Sequence, residues 1–154
     1  MADGLRIDEE PPTTADARYC LSRYFDELQR RFDAGFDAAE ATAGLDEFLP
    51  PHGAFLVIRQ DGEPVACGGI KPFDGAAYIK RMWVSPNARG LGLGKRLLQA
   101  LEAKACSLGY RKVCLETNKA LTEARRLYRS SGYREVTPFN DEPYAHHWFD
   151  KRLR

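Results

Sequence analysis

The sequence predicts an α/β domain with a mixed, mostly antiparallel twisted sheet flanked by helices. Three observations lead there. Apolar runs over residues 54–59, 65–71 and 77–84 are separated by the turn signals Gln60-Asp61-Gly62-Glu63 and Phe73-Asp74-Gly75, so they read as successive antiparallel strands. A glycine-rich turn, Arg89-Gly90-Leu91-Gly92-Leu93-Gly94, comes after the third run and opens an amphipathic helix beginning at Lys95. The apolar run over residues 112–117 returns after that helix, and such a crossover joins parallel strands, which gives a central β-loop-α-β unit.

The remaining elements are read in chain order. Leu5-Arg6-Ile7 reads as a first strand. After Pro11-Pro12, Thr13 or Thr14 caps a helix in which Ala17, Leu21, Phe25, Leu28 and Phe32 recur at spacings of three and four. Residues 33–53 are alanine-rich and acidic and close on Leu49-Pro50-Pro51-His52-Gly53, which favours a short second helix and a loop over a strand. Leu93, Leu97, Leu101, Ala105 and Leu108 mark one face of the helix after the glycine turn, with Gly109 as its C-terminal cap. Thr122 caps a further helix of about three turns carrying Ala124, Leu127 and Tyr128, and Gly132 stops it. Residues 133–136 and 145–151 read as closing strands around a connection containing Pro138 and Pro143.

Composition bounds the function. A chain of 154 residues, 44% hydrophobic and 29% charged, is that of one globular domain, and a formal charge of +1 gives no overall attraction to nucleic acid. The cluster Arg125-Arg126 with Arg129 reads either as a solvated helix face or as a local anion contact. No apolar stretch approaches bilayer length and the start Met1-Ala2-Asp3-Gly4 is not basic, so a cytoplasmic protein is expected. Cys20, Cys67, Cys106 and Cys114 form no close pair and read as reduced core thiols. With His52, His146 and His147 they give no metal-ligand spacing, so no metal is expected.

The glycine turn carries the chemistry. Ser85-Pro86-Asn87 ends the preceding strand, because proline restrains its own φ and biases its neighbour towards extended backbone. Gly90, Gly92 and Gly94 then permit close approach of a ligand to backbone N–H groups at a helix start, a phosphate-binding arrangement to which Arg89 adds charge. A dinucleotide fold would need an early β-α unit and an acidic ribose ligand. Three hairpin-joined strands precede this turn and too little chain lies beyond it, which counts against that reading.

The order strand, Arg89-to-Gly94 turn, helix, strand and then Ala124-Arg125-Arg126-Leu127-Tyr128-Arg129-Ser130-Ser131-Gly132-Tyr133 resembles the GCN5-related N-acetyltransferase (GNAT) superfamily. The resemblance covers nearly the whole chain and is sharpest from Tyr78 to Glu135. It implies a single acyl-coenzyme-A-binding N-acetyltransferase domain over residues 1–154. Arg89, Gly92 and Gly94 fall on the family's pyrophosphate pattern, so the N–H groups of Gly90, Leu91, Gly92, Leu93, Gly94 and Lys95 are expected to meet the phosphates of acetyl-coenzyme A. The strand end at Met82 and Val84 is expected to run beside the pantetheine arm, with the Val84 N–H at the acyl carbonyl.

Tyr128 is expected to hydrogen-bond the sulfur and supply a proton to it. Asn118 is expected to position the pantetheine or the loop before the short helix. The base is less defined, because Tyr78 stands where many related enzymes carry an acidic residue. Glu116 is the nearest replacement, acting through water or making an ordinary salt bridge. Lys80 and Arg81 are expected on opposite faces of their strand, as are His146 and His147 on theirs, with one of each pair a candidate for the pocket. Tyr19, Tyr24 and Glu27 are candidate walls of the acceptor pocket. The implied partner is a small-molecule amine or a peptide, with no nucleic acid or membrane and with a homodimer as the expected assembly. A non-catalytic acyl-coenzyme-A sensor is the alternative.

Overall fold

The computed structural model describes residues 4–32 and 44–154. Its elements are β1 (Leu5–Glu9), α1 (Ala15–Arg31), β2 (Ala54–Gln60), β3 (Glu63–Phe73), β4 (Ala76–Val84), α2 (Leu93–Ser107), β5 (Lys112–Thr117), α3 (Thr122–Ser130), β6 (Arg134–Val136) and β7 (His147–Arg152). They form one sheet in the order β1-β2-β3-β4-β5-β7-β6. Every neighbouring pair is antiparallel except β4 with β5. This is the mixed, mostly antiparallel sheet that the turn signals predict.

The two faces of the sheet are filled by alternate residues. In β2, Ala54, Leu56 and Ile58 join Ile70, Ile79, Leu115 and Phe149 under α2, while Phe55 and Val57 join Cys67 and Trp83 under Ala17, Leu21 and Phe25 of α1. Both sets are buried, which explains the unbroken apolar run Ala54-Phe55-Leu56-Val57-Ile58. Thr14 caps α1, its Oγ1 accepting the Ala17 N–H at 3.2 Å.

Several boundaries differ from expectation. Helix α2 begins at Leu93, two residues before Lys95, because Gly92 at φ 75° is its N-cap. Thr122 is the first residue of α3 and not its cap; the Asn118 side chain organises the entry by accepting the Ala120 N–H at 2.8 Å. Cys106 is exposed, while Cys20, Cys67 and Cys114 are buried, so only the last three are core thiols. The short helix expected within residues 33–53 falls largely on residues 33–43, outside the described residues, and Leu45–Phe48 forms a 3-10 turn.

The consequential irregularity is in β4. Cys67 faces Trp83 and Gly69 faces Lys80, so the single residue Gly68 opposes both Arg81 and Met82. Arg81 adopts φ 63° to close this bulge. Gly68 leaves the room required, since a Cβ there would lie 3.0 Å from Leu101 Cδ1 and 3.2 Å from Met82 Cγ. On the far side of β4, pairing with β5 is confined to Ala77 with Val113 and Tyr78 with Cys114. Beyond these residues the strands part and leave a wedge.

Charge ties the first strand and helix to the sheet. Arg59 donates from Nε to Asp16 at 2.9 Å and reaches Asp8 at 3.0 Å and Glu10 at 2.8 Å through Nη1, joining β2, β1, α1 and the segment between them. The arginine and Glu10 are both largely shielded from water. Replacing it by methionine removes the cation shared by the three carboxylates, of which Asp8 alone keeps another arginine partner among the described residues, Arg6 at 3.2 Å. Arg59→Met is therefore expected to lower unfolding free energy by about 1–3 kcal/mol, read as a lower denaturant midpoint at unchanged slope. An unchanged midpoint would show that the cluster adds nothing net.

Candidate active site

Two cavities open from the β4/β5 wedge. The first is a groove between the end of β4, the glycine turn and α3, lined by Met82, Val84, Gly90, Gly92, Lys95 and Leu127 among others. The second lies under α1 and over the wedge, between Phe25, Lys80, Arg81, Glu116, Glu142 and Tyr144. Their linings share Tyr24, Leu28, Met82, Leu121, Ala124 and Tyr128, so the two spaces meet where β4 and β5 diverge.

The groove is a backbone surface. Gly90 and Gly92 have φ of 89° and 75°, and a Cβ at either would meet nothing within 4 Å, so the turn is left open on its outer side. No side chain caps α2, and the first turn-closing bond inside it runs from the Arg96 N–H to Gly92 O at 3.1 Å. The preceding N–H groups at the helix start have no partner within the helix, which is where an anion binds. Gly94 serves packing instead: a Cβ there would stand 3.4 Å from Leu127 Cδ2. Leu91 is 63% exposed and adds no side chain to the lining, whereas Leu93 is buried beneath it.

Val84 shows how strand geometry supplies a donor. The Ser85 N–H donates to Val65 O at 2.8 Å, and Val84 faces Ala66 in the ladder. Antiparallel alternation then turns the N–H and C=O of Val84 away from β3, towards the wedge. Its carbonyl accepts from Arg89 Nε at 3.1 Å. Arg89 also donates through Nη2 to Glu27 of α1 at 2.6 Å, and Glu27 pairs with Arg31 at 3.0 Å, which reaches Glu123 of α3 at 2.8 Å. Arg89, placed by its sequence at the entrance to the turn, is thus held by α1 and by the strand.

The second cavity is polar on its sheet side. Glu116 accepts from the Tyr78 hydroxyl and from Asn140 Nδ2 at 3.2 Å, and Lys80 Nζ lies 3.8 Å from its other oxygen. Lys80 also pairs with Glu142 at 3.4 Å and stands 4.9 Å over the Tyr78 ring. Burial, with the Glu116 charge beside it, pushes the Tyr78 phenol far above its ordinary range. Arg81 lies 5.8 Å from the Phe25 ring centre and 5.3 Å from that of Phe48. Both rings belong to the α1 side of the sheet, as do Tyr78 and Lys80 by strand parity. The bulge therefore overturns the expected alternation and places Lys80 and Arg81 on one face, lining one cavity.

At the junction stand Tyr24 and Tyr128. Tyr128 is 7% exposed and packs at 5.9 Å on Tyr133 and 5.7 Å on Phe149. Burial raises its phenol well above the ordinary value, and the Glu116 carboxylate adds to the rise. Burial likewise raises Tyr24, against the pull of the Arg81 charge. Both phenols are held protonated. Cys114, pushed up to about 12 by burial, does not supply a thiolate.

Other expected residues are placed differently. Asn118 lines the second cavity and not the groove, donating to Tyr144 O at 2.8 Å and thereby holding the loop. Tyr24 lines both cavities, Glu27 lines the groove and not the second cavity, and Tyr19, 49% exposed and edge-on to Trp83 at 6.4 Å, lines neither. His146 precedes β7 and accepts the Lys119 N–H, while His147 contacts Glu135 at 2.7 Å; neither lines a cavity. Arg129 pairs with Glu135 at 2.6 Å. Asn140, Glu142 and Tyr144 are additions that sequence reasoning passed over. Their signal was a polar and aromatic cluster around Pro143 in an otherwise unassigned connection. Among the described residues no group of His, Cys, Asp and Glu forms a metal site, and no helix is long and apolar enough to cross a membrane.

A sheet opened between parallel strands, beside a glycine turn at a helix start, defines a fold shared with known acetyltransferases. The profile of the Acetyltransferase (GNAT) family matches residues 21–133. An uncharacterised N-acetyltransferase of Schizosaccharomyces pombe is 37% identical over 102 residues, covering 64% of this chain and 63% of the yeast protein. The chain thus spans a little under two thirds of that relative. A GNAT-family acetyltransferase from Staphylococcus aureus Mu50 superposes with a TM-score of 0.81 at 19% identity, covering 97% of this chain and 99% of that one. A GNAT-family acetyltransferase from Elizabethkingia anophelis, solved with acetyl-CoA bound, gives 0.68 at 18% identity over 98% and 99%. The chain belongs to the GNAT acetyltransferase family.

Proposed function

We propose that the protein is an acetyl-coenzyme-A-dependent N-acetyltransferase acting on a primary amine of a small molecule, an amino-acid-like compound or a peptide by direct attack. The observation that carries this reading is the meeting of the two cavities at Tyr24, Met82 and Tyr128, with the Val84 N–H turned towards the wedge beside them. An acyl donor in the groove and an acceptor in the second cavity can touch at this junction. Family membership and the acetyl-CoA-bound Elizabethkingia relative support the choice of donor.

The groove fits the coenzyme by the chemistry of its donors. The open turn at Gly90 and Gly92, with the helix-start N–H groups from Leu91 to Lys95, receives pyrophosphate without need of a side-chain cation. Bound acetyl-coenzyme A supplies a thioester, whose sulfur leaves as the amine nitrogen takes the acetyl group. The Val84 N–H stabilises charge developing on the acyl oxygen. Tyr128 gives its proton to the departing sulfur, for which a phenol held protonated by burial is suited. Glu116 holds the incoming ammonium and receives its proton through water. Asn118 fixes the loop that closes the acceptor side.

The deciding experiment offers the purified protein acetyl-coenzyme A with amino acids, polyamines, amino sugars and short peptides, measuring both coenzyme release and acetylated product. Acetylated product supports the transferase. Tight cofactor binding with no product across the panel would favour an acyl-coenzyme-A-binding sensor. Gly92→Val should fold yet lose at least tenfold in acetyl-coenzyme A affinity by calorimetry, because valine is strained at φ 75° and stands on the phosphate side of the turn. Normal affinity would remove the turn as the clamp. Tyr128→Phe should lower the chemical rate about tenfold to a thousandfold with little change in cofactor affinity. Since burial keeps this phenol protonated beyond its usual range, the loss should persist across pH 6–9, whereas an unchanged single-turnover rate would exclude Tyr128 as the donor.

A further inference from the structure

Resting on the transferase reading and on the place of Glu116 in it, we infer that Asn140 is a positioning residue for the acceptor step: with Tyr78 it holds Glu116 Oε1 and so leaves Oε2 to meet the acceptor amine. The Glu116 side chain is only 8% exposed, so its carboxylate depends on donors from the protein. Two of them converge on one oxygen. The Tyr78 hydroxyl and Asn140 Nδ2, the latter at 3.2 Å, both donate to Oε1. Lys80 Nζ faces Oε2 at 3.8 Å, which is longer than a hydrogen bond. The two oxygens are therefore unequal, and Oε2 is the one with capacity to spare.

Donors also dictate which way the Asn140 amide points. Its Oδ1 accepts from Trp148 Nε1 at 2.9 Å and from the Glu142 N–H at 3.2 Å. Neither group can accept, so turning the amide over would set Nδ2 against both of them and Oδ1 against the carboxylate. As placed, Nδ2 gives its two hydrogens to the Tyr78 oxygen at 2.8 Å and to Glu116 Oε1. Trp148 lies opposite Glu116 in the β5/β7 ladder, which puts indole and carboxylate on one face of the sheet. Tyr78 continues the same direction of donation. Burial and the Glu116 charge hold its phenol protonated, so it gives its one proton to Oε1 while receiving from Asn140. Trp148, Asn140 and Tyr78 thus form a one-way chain of donors ending on a carboxylate that lines the second cavity. An amine entering beside Lys80 finds Oε2 at a fixed place, which transfer of its proton requires.

The test is a set of double-mutant cycles run with the best acceptor of the amine panel, each variant being checked for folding and for acetyl-coenzyme A affinity. Glu116→Gln, Asn140→Leu and Tyr78→Phe should each lower kcat/KM for the amine by about tenfold or more, with cofactor affinity within about twofold of wild type. Added to Glu116→Gln, either of the other two should lower it by less than about a further twofold, since the group they position is already gone. Trp148→Phe, which removes a donor to Oδ1, should lower kcat/KM by about threefold or more and lose that effect in the Glu116→Gln background. A merely structural Asn140 would give losses that multiply with Glu116→Gln. That result, an unchanged kcat/KM in Asn140→Leu, or normal turnover by Glu116→Gln would overturn the inference while leaving the transferase reading intact. Absence of acetylated product from the wild-type protein across the whole panel, with acetyl-coenzyme A bound, would overturn both. Should Asn140→Leu fail to fold, the Tyr78→Phe and Trp148→Phe cycles decide the matter.

Discussion

The site depends on one constraint: β4 is bound along both edges at its start and along one edge at its end. Pairing with β5 stops after Tyr78, while pairing with β3 continues through Val84, across the bulge at Arg81. A strand in the middle of a sheet normally has its backbone polar groups satisfied on both sides. Here the released edge turns the Val84 N–H towards a wedge that the second strand never fills. The same bulge rotates side chains, bringing Arg81 to the face of Lys80 and Trp83. One local departure from regular pairing therefore supplies both a backbone donor and a charged wall.

The wedge is held open by elements that are distant in sequence. Glu27 of α1 grips Arg89, Arg89 grips the Val84 carbonyl, and Arg31 extends the chain of charges to Glu123 and to the Ala120 carbonyl at the entry to α3. The glycine turn, the strand end and both helices flanking the groove are thus tied to one another. In the second cavity, Asn140 does comparable work, bonding Tyr78 and Glu116 through Nδ2 and accepting from Trp148 Nε1 at 2.9 Å. Glu116 is thereby fixed on its strand instead of turning to solvent.

The parts of this arrangement that rest on backbone conformation were legible in the sequence. Asp61-Gly62 and Asp74-Gly75 mark hairpins because residues there take positive φ. Gly90 and Gly92 mark the anion turn for the same reason, and the leucine spacing of α2 reports the face it buries. The bulge was not legible: Lys80-Arg81-Met82 contains no glycine at the strained position, and the glycine that admits it, Gly68, lies on the neighbouring strand. Nor was the Arg89–Glu27 pair, which joins residues 62 apart in sequence. Asn140, Glu142 and Tyr144 escaped because a connection without periodicity gives no clue to which cavity it borders.

That division follows from what builds each space. The glycine turn offers N–H groups, which every residue but proline possesses, so the sequence records it as a demand for glycine and a helix start. The second cavity is walled by side chains gathered from α1, β4, β5, α3 and the connection before β7. Such a wall can be rebuilt by substitution at many positions without disturbing the turn or the splay. Its character must then be read from the balance of charge within it. Here two carboxylates flank Lys80 and the bulge brings Arg81 onto the same wall, which makes strand geometry as much a part of that wall as residue type.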